Sequence, residues 1–180
     1  MKQHRIRIGD VERDLPVISV GEVSVALLNL LGDTELTEAA AQLLAQKMPA
    51  EVEILITPEV KAVPLTHAIS RITGLPYVVA RKTEKPYMVD SVKKTVLSIT
   101  TGKPQTLVVD GADVERLKGR KAAVVDDVVS TGGTLDGLRE LLEDIGATFV
   151  TTLVVFTEGT ARDDVIALGH LELFENETQQ

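Results

Sequence analysis

The sequence predicts an α/β fold, a twisted, mainly parallel sheet of about five strands flanked by helices. Three observations carry that expectation. Short, nearly continuous apolar runs recur at 52–56 (VEILI), 75–80 (LPYVVA), 122–125 (AAVV) and 149–156 (FVTTLVVF), the pattern of strands buried on both faces. Segments with apolar residues at helical spacing lie between several of them, in the order strand, helix, strand, strand, helix, strand. A polar or charged cluster follows the carboxyl end of each run. In an open parallel sheet joined by right-handed crossovers, those ends share the rim where ligands bind.

The chain opens with an alternating segment at 5–20, RIRIGDVERDLPVISV, which reads as a two-stranded hairpin turning at Gly9-Asp10. Residues 23–31, VSVALLNLL, are too short and too apolar to assign by period, and a strand and a buried helix both fit. Asp33 or Thr34 can cap a helix over about 35–48, with Leu36, Ala39, Ala40, Leu43 and Leu44 on its apolar face and Pro49 stopping it. After the strand at 52–56, Thr57 to Ala62 form the turn at its carboxyl end, and a helix over 63–73 closes at Gly74. Lys61 stands at that helix's N-terminus, where its charge opposes the helix dipole; the arrangement makes sense with an anion beside it.

The strand at 75–80 ends on Arg81-Lys82-Thr83-Glu84-Lys85-Pro86, whose three cations can neutralise a diphosphate. Residues 95–99 and 105–109, separated by Thr100 to Pro104, read as an exposed hairpin. A helical turn at 113–117 breaks at Gly119. Leu135, Leu138, Leu141, Leu142 and Ile145 repeat at helical spacing, and Gly146 ends that helix. The last long strand, 149–156, delivers Thr157-Glu158-Gly159 to the rim. Residues 165–173 read as a short edge hairpin and 175–180 as a frayed end.

The most informative stretch is Lys121 to Thr134, KAAVVDDVVSTGGT. Its apolar run ends on Asp126-Asp127, placing two carboxylates on the rim. Val129, Ser130, Thr131, Gly132, Gly133 and Thr134 then supply hydroxyls, two glycines that permit close backbone approach, and the free N–H groups of a starting helix, which suit a phosphate monoester. An acidic pair repels phosphate while the adjacent turn attracts it. A ribose 5-phosphate resolves the conflict, with hydroxyls on the carboxylates and phosphate in the turn. No Gly-Lys-Ser/Thr follows the glycines, so the stretch is not a P-loop, and the dinucleotide fingerprint lacks its first glycine. Helix capping by Thr131 or Thr134 alone explains one hydroxyl and leaves the carboxylates and the double glycine unexplained.

An apolar run, Asp-Asp, two apolar residues and Ser-Thr-Gly-Gly-Thr resemble the phosphoribosyl pyrophosphate signature of the type I phosphoribosyltransferases. The resemblance implies that family's fold in one domain, 1–180, with an N-terminal hood over about 1–34, a core over about 35–180 and a flexible β-hairpin loop at about 86–110. It also implies transfer of a 5-phosphoribosyl group from phosphoribosyl pyrophosphate to a purine base with release of pyrophosphate. Arg81-Lys82 followed by Lys85 is similar to the purine-type enzymes, and adenine leads as acceptor because the Arg-Lys segment and the overall length resemble the adenine enzymes; xanthine or guanine is the alternative, and a non-catalytic sensor of phosphoribosyl pyrophosphate the second class. By the same resemblance, Glu59, Val60, Lys61 and Ala62 occupy the pyrophosphate loop, Asp126 and Asp127 act on the ribose, Mg2+ is held mainly by substrate and water near that pair, and the protein is a homodimer. Residues near 23–28 of the hood, with Phe156 and Glu158, fall where the base is met. The hairpin loop shows no clear equivalent of the acidic-aromatic pair that adenine enzymes carry there.

Composition narrows the field. With 180 residues, 44% hydrophobic and 26% charged, the chain can bury a sizeable core. The absence of cysteine excludes a disulfide framework, a thiolate zinc site and a cysteine nucleophile. His4, His67 and His170 are too scattered for a His-rich metal site. A net charge of −8 argues against nonspecific nucleic-acid binding. No apolar run reaches membrane-span length and the N-terminus lacks a signal peptide's apolar centre, so a cytoplasmic location is expected.

Overall fold

The computed structural model describes residues 2–97, 104–160 and 162–175. Three strands, β1 (Gln3–Ile8), β2 (Val11–Val20) and β3 (Val23–Ala26), precede helix α1 (Thr34–Lys47). Then come β4 (Ile54–Pro58), α2 (Val63–Thr73), β5 (Tyr77–Ala80), the pair β6 (Val92–Leu97) and β7 (Pro104–Val109), and α3 (Gly111–Leu117). The chain continues through β8 (Lys121–Val129), α4 (Gly133–Ile145), β9 (Thr148–Glu158), β10 (Ile166–Leu171) and β11 (Phe174–Glu175). The central sheet has five parallel strands in the order β10-β9-β8-β4-β5. A separate antiparallel sheet, β1-β2-β3-β11, forms from the N-terminal strands and the end of the described chain.

Both faces of the central sheet are covered, which explains why its strands read as unbroken apolar runs. Along β4 the period-2 alternation sends Leu55 to one face, against Leu36, Leu44, Leu65 and Ile69 of α1 and α2. Ile54 and Ile56 go to the other, against Leu117 of α3 and Leu138, Leu141 and Leu142 of α4. The helix ends follow the sequence signals: Gly74 and Gly146 are left-handed C-caps (φ +74° and +82°), conformations in which a Cβ would be strained.

Asp33 is the cap of α1. Its carboxylate accepts the Leu36 amide at 3.1 Å and both Arg13 Nε and Nη2, at 2.7 and 2.9 Å, so one side chain starts the helix and ties it to β2. Arg13 holds this carboxyl below its ordinary value of 3.8. Asp33→Ala is expected to cost about 1–2 kcal/mol near neutral pH. A group with a depressed folded pKa contributes above the unfolded value, so the melting-temperature gap between wild type and variant should close as pH falls below 3.8.

The structure settles one assignment left open by the sequence and corrects four expectations. Residues 23–31 divide into β3 and a loop whose Leu28 and Leu30 are buried. β4 runs on through Thr57 and Pro58, which pair with Val79 and Ala80, so the turn is confined to Glu59–Ala62. β8 continues past both aspartates to Val129, because Asp126, Val128 and Val129 pair with Val154, Phe156 and Thr157 of β9. The segment at 104–109 is not an exposed strand: Leu107, Val108 and Val109 are fully buried, and Lys94 of β6 pins the pair to α4 through Glu140 at 2.9 Å and Asp144 at 3.1 Å. Residues 165–173 are no hairpin, since β10 lies parallel to β9 at the sheet edge, and Glu175 is ordered against Val23. The turn at 100–103 and the end at 176–180 lie outside the described residues.

Candidate active site

Ser130 to Thr134 join β8 to α4 in a turn that leaves donors open. Gly132 is the N-cap of α4 at φ +87°, and no side chain caps the helix; the capping role open to Thr131 or Thr134 is therefore not taken. The first helix-closing bond is Asp136 N–H to Gly132 C=O, at 2.8 Å. The amides of Gly133, Thr134 and Leu135 precede it, and such amides at a helix start form an anion site. They line a small cavity of about 80 Å3 with Asp126, Val128, Val129, Ser130, Thr131 and Gln105. The acid and the turn thus share one cavity.

Asp126 and Asp127 sit close together within the last turns of β8. The carboxylate of Asp126 accepts the Asp127 amide at 2.8 Å, and that of Asp127 accepts the Val128 amide at 3.0 Å. Burial first, and the neighbouring Asp127 second, push the Asp126 carboxyl well above its ordinary range. Asp127 is 7% exposed, and its Oδ2 is buried without a hydrogen-bond partner among the described residues. Lys61 Nζ stands 3.8 Å from that oxygen. A buried carboxylate oxygen left in this state is costly unless a ligand supplies a donor or a cation.

Lys61 belongs to the loop between β4 and α2. The Glu59–Val60 peptide in it is cis, and Ala62 is the N-cap of α2, with no side-chain cap among the described residues. Glu59 N–H donates to Ala80 C=O at 2.9 Å, so it is not free for a ligand; the amides of Val60, Lys61 and Ala62 have no such bond among the described residues. The cations after β5 do not all converge on open space. Arg81 Nε lies 3.2 Å from Glu59 Oε1, the Lys82 amide donates to Glu59 Oε2 at 2.9 Å, and Lys85 Nζ donates to Thr83 Oγ1 at 2.9 Å. Glu59 therefore fastens the loop to the end of β5, and Arg81 holds the Glu59 carboxyl below its ordinary range along with the Lys82 amide, the larger cause.

A second cavity, of about 330 Å3, shares Ser130 and Thr131 with the first. Its walls are Val20, Val23 and Val25 from the N-terminal sheet, Leu173, and Glu158 at the end of β9. The antiparallel sheet thus faces the strand ends, as a hood would. Burial, and secondarily Asp127, raise the Glu158 carboxyl above its ordinary range. Phe156 is not at this wall: it is 4% exposed and packs in the core against Gly169. Gln105, Val20 and Leu173 had no local signal in the sequence; only the folded chain brings them to the rim.

Comparison with known proteins agrees with this geometry. A family model described as Phosphoribosyl transferase domain matches residues 29–172. The hypoxanthine/guanine phosphoribosyltransferase of Methanosarcina acetivorans is 29% identical over 169 residues, covering 91% of this chain and 85% of the relative. That of Methanosarcina barkeri is 32% identical over 139 residues, covering 76% and 69%. Among solved structures, adenine phosphoribosyltransferase from Thermoanaerobacter pseudethanolicus superposes with a TM-score of 0.66 at 19% identity, covering 78% of this chain and 84% of that one. The Giardia lamblia enzyme complexed with 9-deazaadenine gives 0.64 at 16% identity, covering 93% of each. With Asp126 and the open amides of the Ser130–Thr134 turn in one cavity at the carboxyl rim of a five-stranded parallel sheet, and with the family model spanning most of its length, the chain belongs to the phosphoribosyltransferases.

Proposed function

We propose that this protein transfers the 5-phosphoribosyl group of phosphoribosyl pyrophosphate to a purine base and releases pyrophosphate. The observation that carries the reading is the shared wall: Ser130 and Thr131 bound both the polar cavity with Asp126 and the apolar cavity of ring-accepting size. The turn Ser130–Thr134 would hold the 5-phosphate, remote from the bond that breaks, and so position the sugar. Asp126 and Asp127 would accept the ribose hydroxyls and stand near the positive charge that grows at the anomeric carbon as pyrophosphate leaves. Lys61 and the amides of Val60 to Ala62 would receive the pyrophosphate, with Lys82 and Lys85 at its outer side.

A magnesium ion fits this donor set. Hard carboxylate oxygens are present in Asp126 and Asp127, one of them buried without a hydrogen bond. Among the described residues no group of three or more His, Cys, Asp or Glu is placed to hold a metal, so substrate oxygens and water would complete its shell. When bound, the ion neutralises diphosphate charge.

For the acceptor we favour a 6-oxopurine, hypoxanthine or guanine, after the named sequence relatives. An ionised Glu158 would accept from guanine N1–H and its exocyclic amine. Adenine is the second reading, from the Arg81-Lys82 segment: the raised Glu158 carboxyl, when protonated, can donate to adenine N1. Turnover assays with magnesium, phosphoribosyl pyrophosphate and each base in turn decide the matter. Guanine or hypoxanthine should exceed adenine at least roughly tenfold in kcat/KM. Tight binding of phosphoribosyl pyrophosphate with no turnover on any base would replace the enzyme reading with a sensor. We also propose a homodimer, for which light scattering should give twice 19.4 kDa.

A further inference from the structure

The turn that would receive the phosphate carries no cation of its own: residues 128–135 read VVSTGGTL, and the nearest charge in its cavity is the carboxyl of Asp126. A basic side chain reaches it from elsewhere. Arg162, in the connection between β9 and β10, lies so close over Gly132 that a Cβ added there would stand 1.9 Å from Arg162 Nη1 and 3.0 Å from its Cζ. The guanidinium is held in that pose. Nε and Nη2 donate to the two oxygens of Asp164 at 2.9 and 2.7 Å, and Asp164 is in turn gripped by Arg139 of α4 at 2.8 Å. Two arginines on one carboxylate keep the Asp164 carboxyl far below its ordinary range. Asp136, at the start of α4, completes the cluster 4.0 Å from Arg139. Among the described residues Nη1 is the nitrogen without a carboxylate partner, and it is the one against the turn.

We infer that Arg162 is a positioning residue for the phosphate turn: clamped by Asp164 and Arg139, its guanidinium fixes the backbone at Gly132 and adds a positive charge behind the bound 5-phosphate. The inference rests on the reading of Ser130–Thr134 as the 5-phosphate site. It also gives a reason beyond φ for glycine at 132, since the space a side chain needs there is filled by Arg162.

The test separates the two ends of the substrate. Ribose 5-phosphate and pyrophosphate are titrated separately, by calorimetry, into the wild type, Arg162→Ala and Arg162→Lys. Arg162→Ala should bind ribose 5-phosphate about tenfold more weakly, near the worth of one charge-assisted contact, with pyrophosphate affinity unchanged and KM for phosphoribosyl pyrophosphate raised more than kcat is lowered. Arg162→Lys, keeping the charge without the fork, should fall between. A double-mutant cycle with Gly132→Ala adds a readout that folding damage does not mimic: the alanine should impair ribose 5-phosphate binding less when Arg162 is already alanine, because its steric opponent is gone. Unchanged ribose 5-phosphate affinity in Arg162→Ala, equal loss for both ligands, or a cycle that sums without coupling would overturn the inference. If the wild type itself binds pyrophosphate and not ribose 5-phosphate, the assignment of the turn fails first.

Discussion

Asp126→Asn is expected to lower kcat/KM by roughly 10^3-fold while raising the melting temperature at neutral pH. Both halves follow from one placement. The carboxyl is partly buried late in β8 beside Asp127, and its pKa is lifted well above 3.8 first by desolvation and then by its neighbour. The folded protein therefore binds a proton that the unfolded chain releases above 3.8, and stability declines as pH rises through the folded value. Asparagine removes this term and keeps an acceptor for the Asp127 amide. The variant's advantage should accordingly vanish below 3.8 and grow toward neutrality. Steady-state kinetics with a pH series of thermal melts reads both. An asparagine variant that turns over like wild type, or that melts lower at pH 7, would contradict the placement.

Leu138→Ala should produce the largest loss of stability, about 3 kcal/mol, seen as a fall of roughly 6–12 °C in melting temperature. Leu138 is fully buried, packed on α4 against Ile54, Ile56, Ala122 and Val124 of the sheet. Removing its isobutyl group leaves a cavity in the layer that fixes α4 behind the Ser130–Thr134 turn. Because Leu138 touches no ligand, activity measured well below the new melting point should remain within a few fold of wild type. A melting temperature unchanged by the substitution would show that α4 is not anchored there.

How much of this was legible in the sequence depends on whether the determinant is local. α2 was read to its residue limits because Gly74 supplies a left-handed stop, and the amphipathic leucines of α4 fixed that helix by period alone. The Ser130–Thr134 turn ahead of α4 was legible because its residues are contiguous. Strand ends were less so: main-chain pairing with β9 carries β8 through two aspartates whose side chains argue for a loop. The hairpin read over 95–99 and 105–109 alternates like a solvated ribbon, yet Leu107, Val108 and Val109 of β7 are core, while Lys94 of β6 reaches Asp144 of α4, fifty residues away. Arg81 looked available for an anion because Glu59, which occupies it, belongs to a different loop. Arg162 had no signal at all, being one arginine in a charged connection until the fold lays it on Gly132. Local chemistry is visible in the chain; which charges are already answered is decided by long-range contacts.

On the proposed reading, Asp126, Asp127 and the Ser130–Thr134 turn grip two ends of one sugar phosphate. A crystal structure of the protein with magnesium and phosphoribosyl pyrophosphate tests it most directly. The 5-phosphate should lie on the amides of the turn, the ribose hydroxyls on the two carboxylates, and the diphosphate at Lys61. A phosphate bound elsewhere on the sheet rim, with the Asp126 cavity unchanged, would contradict it.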